Sequence, residues 1–306
     1  MHLTPGGAPD WCPDPRVLKV TVGGHCARRQ PKAKVTRGSR RSLVFLDLLC
    51  LCVVSIPFLI CELGIVPPVR RGFFCDDVSI RFPATKEETV SDTLLISLGI
   101  LITGVPIVLG ECQEVSRQRR SNSCPRASYL SSIYRQLLPF LFGSALGQSI
   151  TNAAKLSAGR LRPNFLSVCQ PEALNCTTGF VEVYTCTGNA RAVTEARKSF
   201  YSGHASFAMY TMLYLSFYLQ VRLTWRGARL LRPLVQFVLI LVALYTGFTR
   251  ISDHRHHPSD VAIGFLQGAL VAYWVAFYIS DMFRQKSLQP VSVSPCADNP
   301  ETFTNC

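Results

Sequence analysis

Six long apolar blocks constrain this chain more than any other feature: Ser42 to Val66, Ser91 to Gly110, Leu137 to Ala154, Ala205 to Val221, Pro233 to Phe248 and Val261 to Ser280. A helix rises about 1.5 Å per residue and needs roughly 17 to 25 mostly apolar residues to cross the hydrocarbon of a bilayer. These blocks reach or nearly reach that length, the shortest with the help of Leu230 and Leu231. Asp47 and Glu62 lie near the ends of the first block, where a carboxylate reaches the headgroups instead of lipid. That block is too long and too far along the chain for a cleaved signal peptide and reads as a signal anchor. The expectation is an all-α integral membrane protein with six transmembrane helices. Its domain plan is a disordered basic cytosolic tail over residues 1–41, a catalytic domain over 42–283 and a short cytosolic tail over 284–306.

The net charge of +13 is concentrated rather than spread. Residues 1–41 hold nine Lys or Arg against Asp10 and Asp14, a balance of +7, which reads as a positive-inside flank touching anionic lipid and not as a nucleic-acid site. The loop from Cys112 to Ser132 carries Arg117, Arg119, Arg120 and Arg126, and the segment from Arg222 to Arg232 carries four Arg and no acid. With six spans these join both termini on the cytosolic side, and the intervening loops fall on the luminal or extracellular side. Asn175 begins an Asn-x-Thr acceptor in one of those outer loops and is expected to be glycosylated. Cys75, Cys169, Cys176 and Cys186 also fall outside, where disulfides persist; four cysteines allow three pairings, and a bridge within the 169 to 186 segment is sterically easiest.

Four of the six histidines, His204, His254, His256 and His257, stand at outer membrane boundaries beside Lys155, Arg160, Arg162 and Arg250. Such a cationic layer suits an anion. Lys155 and Arg162 are seven apart and would share one face of a continuing helix, with Pro163 turning the chain. Ser202-Gly203-His204 leads into the fourth span, where Gly203 permits close backbone approach and helix-start N–H groups favour negative charge. Pro258 suits the first turn of the sixth span, which puts Asp260 in that turn and His256 just ahead of it. Asp260 would accept a proton from one ring nitrogen of His256 and leave the other free to attack phosphorus.

Taken in order, Lys155-x6-Arg162-Pro163, Ser202-Gly203-His204 and Arg250-x5-His256-x3-Asp260 resemble the three-part pattern of the type 2 phosphatidic acid phosphatase superfamily. The stretch from about Arg41 to Phe283 resembles animal lipid phosphate phosphatases, through Gly-Arg-Leu-Arg-Pro-Asn-Phe at 159–165 and Ser-Phe-Tyr-Ser-Gly-His at 199–204. Thr249 stands where that pattern usually has serine, and Pro258 where animal members carry tryptophan. The resemblance implies an outward-facing site, no metal or other cofactor, independence of magnesium, and a phosphohistidine intermediate. It implies lipid phosphates as substrates: phosphatidic acid, lysophosphatidic acid, sphingosine 1-phosphate and ceramide 1-phosphate. Carried over by position, His256 attacks, Asp260 orients it and His204 protonates the leaving alcohol, while Lys155, Arg162, Ser202, Gly203 and Arg250 hold the phosphate. His254 and His257 receive no role. The implied location is the plasma membrane, with endomembranes and a homo-oligomer left open. The alternatives are a non-catalytic lipid-phosphate-binding relative and a lipid phosphotransferase.

Overall fold

The computed structural model describes residues 19–22, 25–28, 37–84, 88–120, 128–172, 179–223, 229–280 and 282–283. Six long helices dominate it: α1 (Arg37–Glu62), α2 (Asp92–Arg120), α3 (Tyr129–Ala158), and α6 (Gly203–Arg222), α7 (Leu231–Ser252) and α8 (Pro258–Trp274), the last continued by a π turn over Val275–Ile279. Each coincides with most of one of the six apolar blocks, although α1 stops at Glu62, short of Val66. Several overrun them: α2 extends to Arg120, its last turn carrying Arg117, Arg119 and Arg120, because cations complement the carbonyl end of a helix and need no apolar surroundings.

Of residues 1–41, only 19–22, 25–28 and 37–41 are described. Strand β1 (Lys19–Val22) pairs antiparallel with β2 (His25–Arg28), and α1 already begins at Arg37. The β-branched run Val20-Thr21-Val22 favours extended backbone, and the register pairs Val22 with His25. The expected carboxy-terminal tail, 284–306, lies outside the described residues, as does Asn175.

Four described helices are long and apolar enough to cross a membrane: Ser42–Glu62, Asp92–Arg117, Leu231–Ser252 and Pro258–Ile279. The other two, α3 and α6, are more polar because they lie inside the bundle. Helix α6 packs against α2, α3, α7 and α8, and α3 packs against α1 and α2 as well. The tyrosines Tyr210, Tyr214 and Tyr218 recur every four residues along α6 and are almost wholly buried. Their hydroxyls donate to the carbonyls of Phe140 at 2.7 Å, Gln136 at 3.3 Å and Ile107 at 3.3 Å, so the rings fill the core and none of the three hydroxyls is stranded. At the end of α6 far from the histidines, Arg222 pairs with the buried Glu111 at 2.8 Å. In α1, Asp47 accepts from Tyr134 at 2.7 Å and is thereby paired inside the bundle.

The contact that positions the site is between α6 and α8. Gly264 and Gly268 face the backbone of α6: a Cβ at Gly264 would stand 2.6 Å from the Ser202 carbonyl, and one at Gly268 would collide with that of Ser206. Two small residues four apart let the helix axes approach closely. Replacing Gly268 by valine is expected to destabilise the fold by about 2–3 kcal/mol, a typical effect of overpacking. A thermal unfolding scan in detergent checks this, with Gly104→Ala as a control, where an added Cβ would meet only Leu137 Cδ1 at 4.0 Å.

A small cap covers the histidine end of the bundle. It comprises β3 (Phe73–Phe74) paired antiparallel with β4 (Phe180–Val181), and the short helices α4 (Phe165–Cys169) and α5 (Ala190–Glu195). Phe73, Ile80, Leu161, Phe165, Cys169, Val193 and Ala196 form its apolar core. Cys169 and Cys186 are bonded, the pairing within the 169 to 186 segment, and Cys75 is disulfide-bonded as well. Cys176 lies outside the described residues.

Candidate active site

Three separated segments meet beneath this cap. The first leaves α3 at Gly159, whose φ of 56° is left-handed and whose missing Cβ makes room for the Val69 carbonyl. The helix therefore ends seven residues after Thr151 and does not continue to Arg162. This corrects the expectation that Lys155 and Arg162 share a helical face and that Pro163 makes the turn. Lys155 stays on the last turn of α3, while Arg162 is anchored in the cap through its N–H to the Ala196 carbonyl at 2.8 Å.

The second segment enters α6. Ser202 is the N-cap, its hydroxyl accepting from the Ala205 N–H at 3.4 Å, and its own N–H donates to the Asp260 carbonyl at 3.1 Å. Gly203 lies against Lys155, for a Cβ there would be 3.3 Å from Nζ. An ammonium thus stands beside the amino end of α6, where backbone N–H groups already favour an anion. His204 points one nitrogen, Nε2, at the Val90 carbonyl at 3.0 Å and the other, Nδ1, toward Asp92 at 3.5 Å. A carbonyl only accepts, so Nε2 carries a hydrogen and Nδ1 faces a carboxylate that is mostly exposed.

The third segment runs from the end of α7 to the start of α8. Pro258 is the first residue of α8 and His257 its N-cap, in a reciprocal capping arrangement with Asp260. His256, only 3% exposed, sits just ahead with Nδ1 2.7 Å from the Ser199 carbonyl. That nitrogen therefore carries the hydrogen, and Nε2 keeps its lone pair. Burial, reinforced by the positive charges of Arg162 and Lys155, holds the imidazole well below the usual histidine range, so it is neutral at physiological pH.

The structure gives the direct bond to His256 to Ser199 and not to Asp260, which the sequence reading had in that place. Asp260 Oδ2 is 4.0 Å from His256 Nδ1, beyond hydrogen-bond reach. Fully buried, Asp260 instead gathers the Ser199 hydroxyl at 2.6 Å, Arg160 Nη1 at 2.6 Å, and both the N–H and Nδ1 of His257 at 3.1 and 3.2 Å. It fixes the residue that orients His256. Ser199 was not singled out by the sequence, although it opens the Ser-Phe-Tyr-Ser-Gly-His run; a hydroxyl three residues before the N-cap gives no periodic signal.

Arg250 is 1% exposed and held by two carboxylates, Nη1 to Glu88 at 3.2 Å and Nη2 to Asp253 at 2.8 Å. Arg255 pairs with Glu88 at 3.1 Å. Glu88 and Asp253 are also additions to the sequence reading. His254 stacks on Phe82 with ring centroids 4.6 Å apart, and its positive φ of 54° turns the chain out of α7. The hydroxyl of Thr249 donates to the Thr246 carbonyl within its own helix.

Residues 136–284 match the family described as the PAP2 superfamily. The chain is 48% identical over 249 residues to phospholipid phosphatase 2 of Mus musculus, covering 81% of this chain and 89% of that protein. It is 48% identical over 248 residues to phospholipid phosphatase 2 of Homo sapiens, covering 80% and 85% respectively. It is 43% identical over 248 residues to phospholipid phosphatase 1 of Rattus norvegicus, covering 80% and 87%. No solved structure gives a significant match.

Proposed function

Because the chain belongs to the phospholipid phosphatases of the PAP2 superfamily, we propose that it hydrolyses lipid phosphates through a phosphohistidine on His256. The observation that carries this reading is the His256 ring itself. With Nδ1–H given to the Ser199 carbonyl, the lone pair on Nε2 is the nucleophile, and the buried ring is neutral and needs no prior deprotonation.

In the first step Nε2 attacks phosphorus and the bond from phosphorus to the lipid oxygen breaks. Burial and the charges of Arg250 and Lys155 lower the proton affinity of His204, to a pKa of about 3, and the negative charge of a bound phosphate offsets those cations. Then protonated on Nδ1 as well as Nε2, His204 gives the Nδ1 proton to the departing alkoxide and gives up its loose contact with Asp92. In the second step His204 removes a proton from water, the water oxygen attacks phosphorus, and the phosphorus–nitrogen bond breaks to release inorganic phosphate. Lys155, Arg162, the Ser202 hydroxyl and the Gly203 N–H neutralise the equatorial oxygens in both steps. Arg250, fixed by Glu88 and Asp253, adds a positive charge whose position does not vary.

The same reading comprises six spans with α3 and α6 counted among them, cytosolic termini, and a site on the luminal or extracellular face of the plasma membrane. Asn175 is glycosylated on that face. Phosphatidic acid, lysophosphatidic acid, sphingosine 1-phosphate and ceramide 1-phosphate share what this site recognises, a phosphate monoester at the membrane boundary with its acyl chains in lipid. The charge on the phosphate is met by side chains, so activity is independent of magnesium. Purified protein is expected to release inorganic phosphate from phosphatidic acid in excess chelator. Formation of a phosphate monoester of an added alcohol, in place of free phosphate, would identify a transferase, and binding without turnover a non-catalytic relative.

The electrostatics set the pH dependence. His256 must be neutral to attack, and its affinity for a proton is depressed, so loss of kcat/KM on acidification begins below the ordinary histidine range near pH 6.5. Lys155 contributes to that depression. Replacing it by methionine raises the affinity of His256 for a proton and moves the acid limb to higher pH, besides lowering the rate. Comparing the two profiles on one substrate cancels the ionisation of the substrate itself; an acid limb that stays or moves down contradicts the assignment.

A further inference from the structure

Beside the catalytic centre, a cavity of about 290 Å³ opens between α4 and α5, with Arg162, Asn164, Arg191 and Arg255 in its lining. Three of its polar groups are buried without a hydrogen-bond partner: Arg162 Nε, Arg255 Nε and Asn164 Oδ1. Asn164 is 1% exposed and does not cap the helix it precedes, so nothing among the described residues uses its amide oxygen. A buried acceptor left without a donor is unfavourable, and a ligand able to donate a hydrogen removes that cost. Two arginine N–H donors and one amide acceptor together match an anionic oxygen with a hydroxyl or ammonium group close by.

We propose that this cavity is a headgroup subsite in which Asn164 Oδ1 accepts a hydrogen bond from a hydroxyl on the carbon next to the one bearing the phosphate. The inference rests on the phosphatase reading and names the substrates it favours. Arg162 lies close enough to Lys155 and His256 to act on both electrostatically, and it also lines the cavity, where Glu195 stands 3.7 Å from its Nη2; Asn164 follows it by two residues. A neighbouring hydroxyl lies within a few ångströms of phosphorus, the reach this shared wall requires. Lipid phosphates with a free hydroxyl there, such as lysophosphatidic acid, therefore gain a contact that a fully acylated glycerol phosphate lacks. Asn164 is a specificity-determining residue.

The test uses lysophosphatidic acid and its 2-deoxy analogue, assayed with full-length wild type, Asn164→Ala and Asn164→Ser in mixed micelles. Wild type is expected to prefer the hydroxyl-bearing substrate by about five- to tenfold in kcat/KM, the scale of one net hydrogen bond. Asn164→Ala should bring the two substrates within about twofold of each other, and Asn164→Ser, smaller but still an acceptor, should keep part of the preference. Equal turnover of the two by wild type overturns the proposal whatever the variants do, as does a preference that survives in Asn164→Ala. If wild type hydrolyses neither substrate, the phosphatase reading itself fails, an outcome distinct from equal turnover.

Discussion

Replacing His256 by alanine lowers phosphate release from a lipid phosphate by about 10⁴-fold or more, the scale on which loss of a catalytic nucleophile acts. The effect falls on kcat, because Lys155 and Arg162 still bind the phosphate. The replacement removes a ring 3% exposed whose partner is the Ser199 carbonyl. Folding is therefore followed separately, by retention of a monodisperse peak in detergent. His204→Ala gives a contrasting pattern. Its loss is about 10²- to 10⁴-fold for a lipid alcohol, which needs a proton to leave, and much smaller for an aryl phosphate, whose phenolate leaves unaided. His256→Ala is equally inactive on both. Rates measured on the two substrate types assign nucleophile and acid, and a His256 variant that turned over the aryl phosphate normally would exchange or void the roles.

Asp260→Ala is the second large effect, and it acts on fold and rate together. The side chain removed is 0% exposed and accepts four hydrogen bonds, including one from an ion pair with Arg160 at 2.6 Å. Its loss strands the Ser199 hydroxyl and the N–H of the α8 cap, and destabilises by about 3 kcal/mol, near the lower end for a broken buried pair because Arg160 is partly exposed. Ser199 is then free to move, and with it the carbonyl that fixes the tautomer of His256, so kcat falls by roughly 10²- to 10³-fold even in folded protein. Asp260→Asn retains an acceptor and is expected to recover much of the stability but little of the rate. Thermal unfolding and kcat measured on both variants separate the two contributions. If Asp260→Asn restored both fully, the carboxylate charge would be irrelevant to His256.

The long helices were legible because a bilayer imposes a length on each apolar run, and no tertiary detail changes that length. Their ends were less so, since α2 and α3 continue into water where charge patterning replaces hydropathy. The helix starts at Ser202-Gly203 and Pro258 were legible from capping chemistry, which is local. The turn after α3 was misplaced: the sequence offers both Gly159 and Pro163 as breakers, and only the approach of the Val69 carbonyl decides for the glycine. The histidines proposed to act in catalysis were visible from their motifs, whereas the support around them was not. Ser199, Glu88 and Asp253 act through contacts that join segments far apart in the chain, Asp260 to Ser199 and Arg250 to Glu88 among them. Sequence spacing carries no record of such pairings. Nor does it show that the direct partner of His256 is a backbone carbonyl, an atom every residue possesses.

The phosphorylated protein itself tests the central claim most directly. Membranes or purified protein mixed with lipid phosphate labelled at phosphorus and quenched within milliseconds are expected to yield a protein-bound phosphate that is stable to alkali and labile to acid. Peptide mapping should place it on Nε2 of His256 and find none in His256→Ala. A label on any other residue, or steady turnover with no labelled protein at any time, would contradict the account.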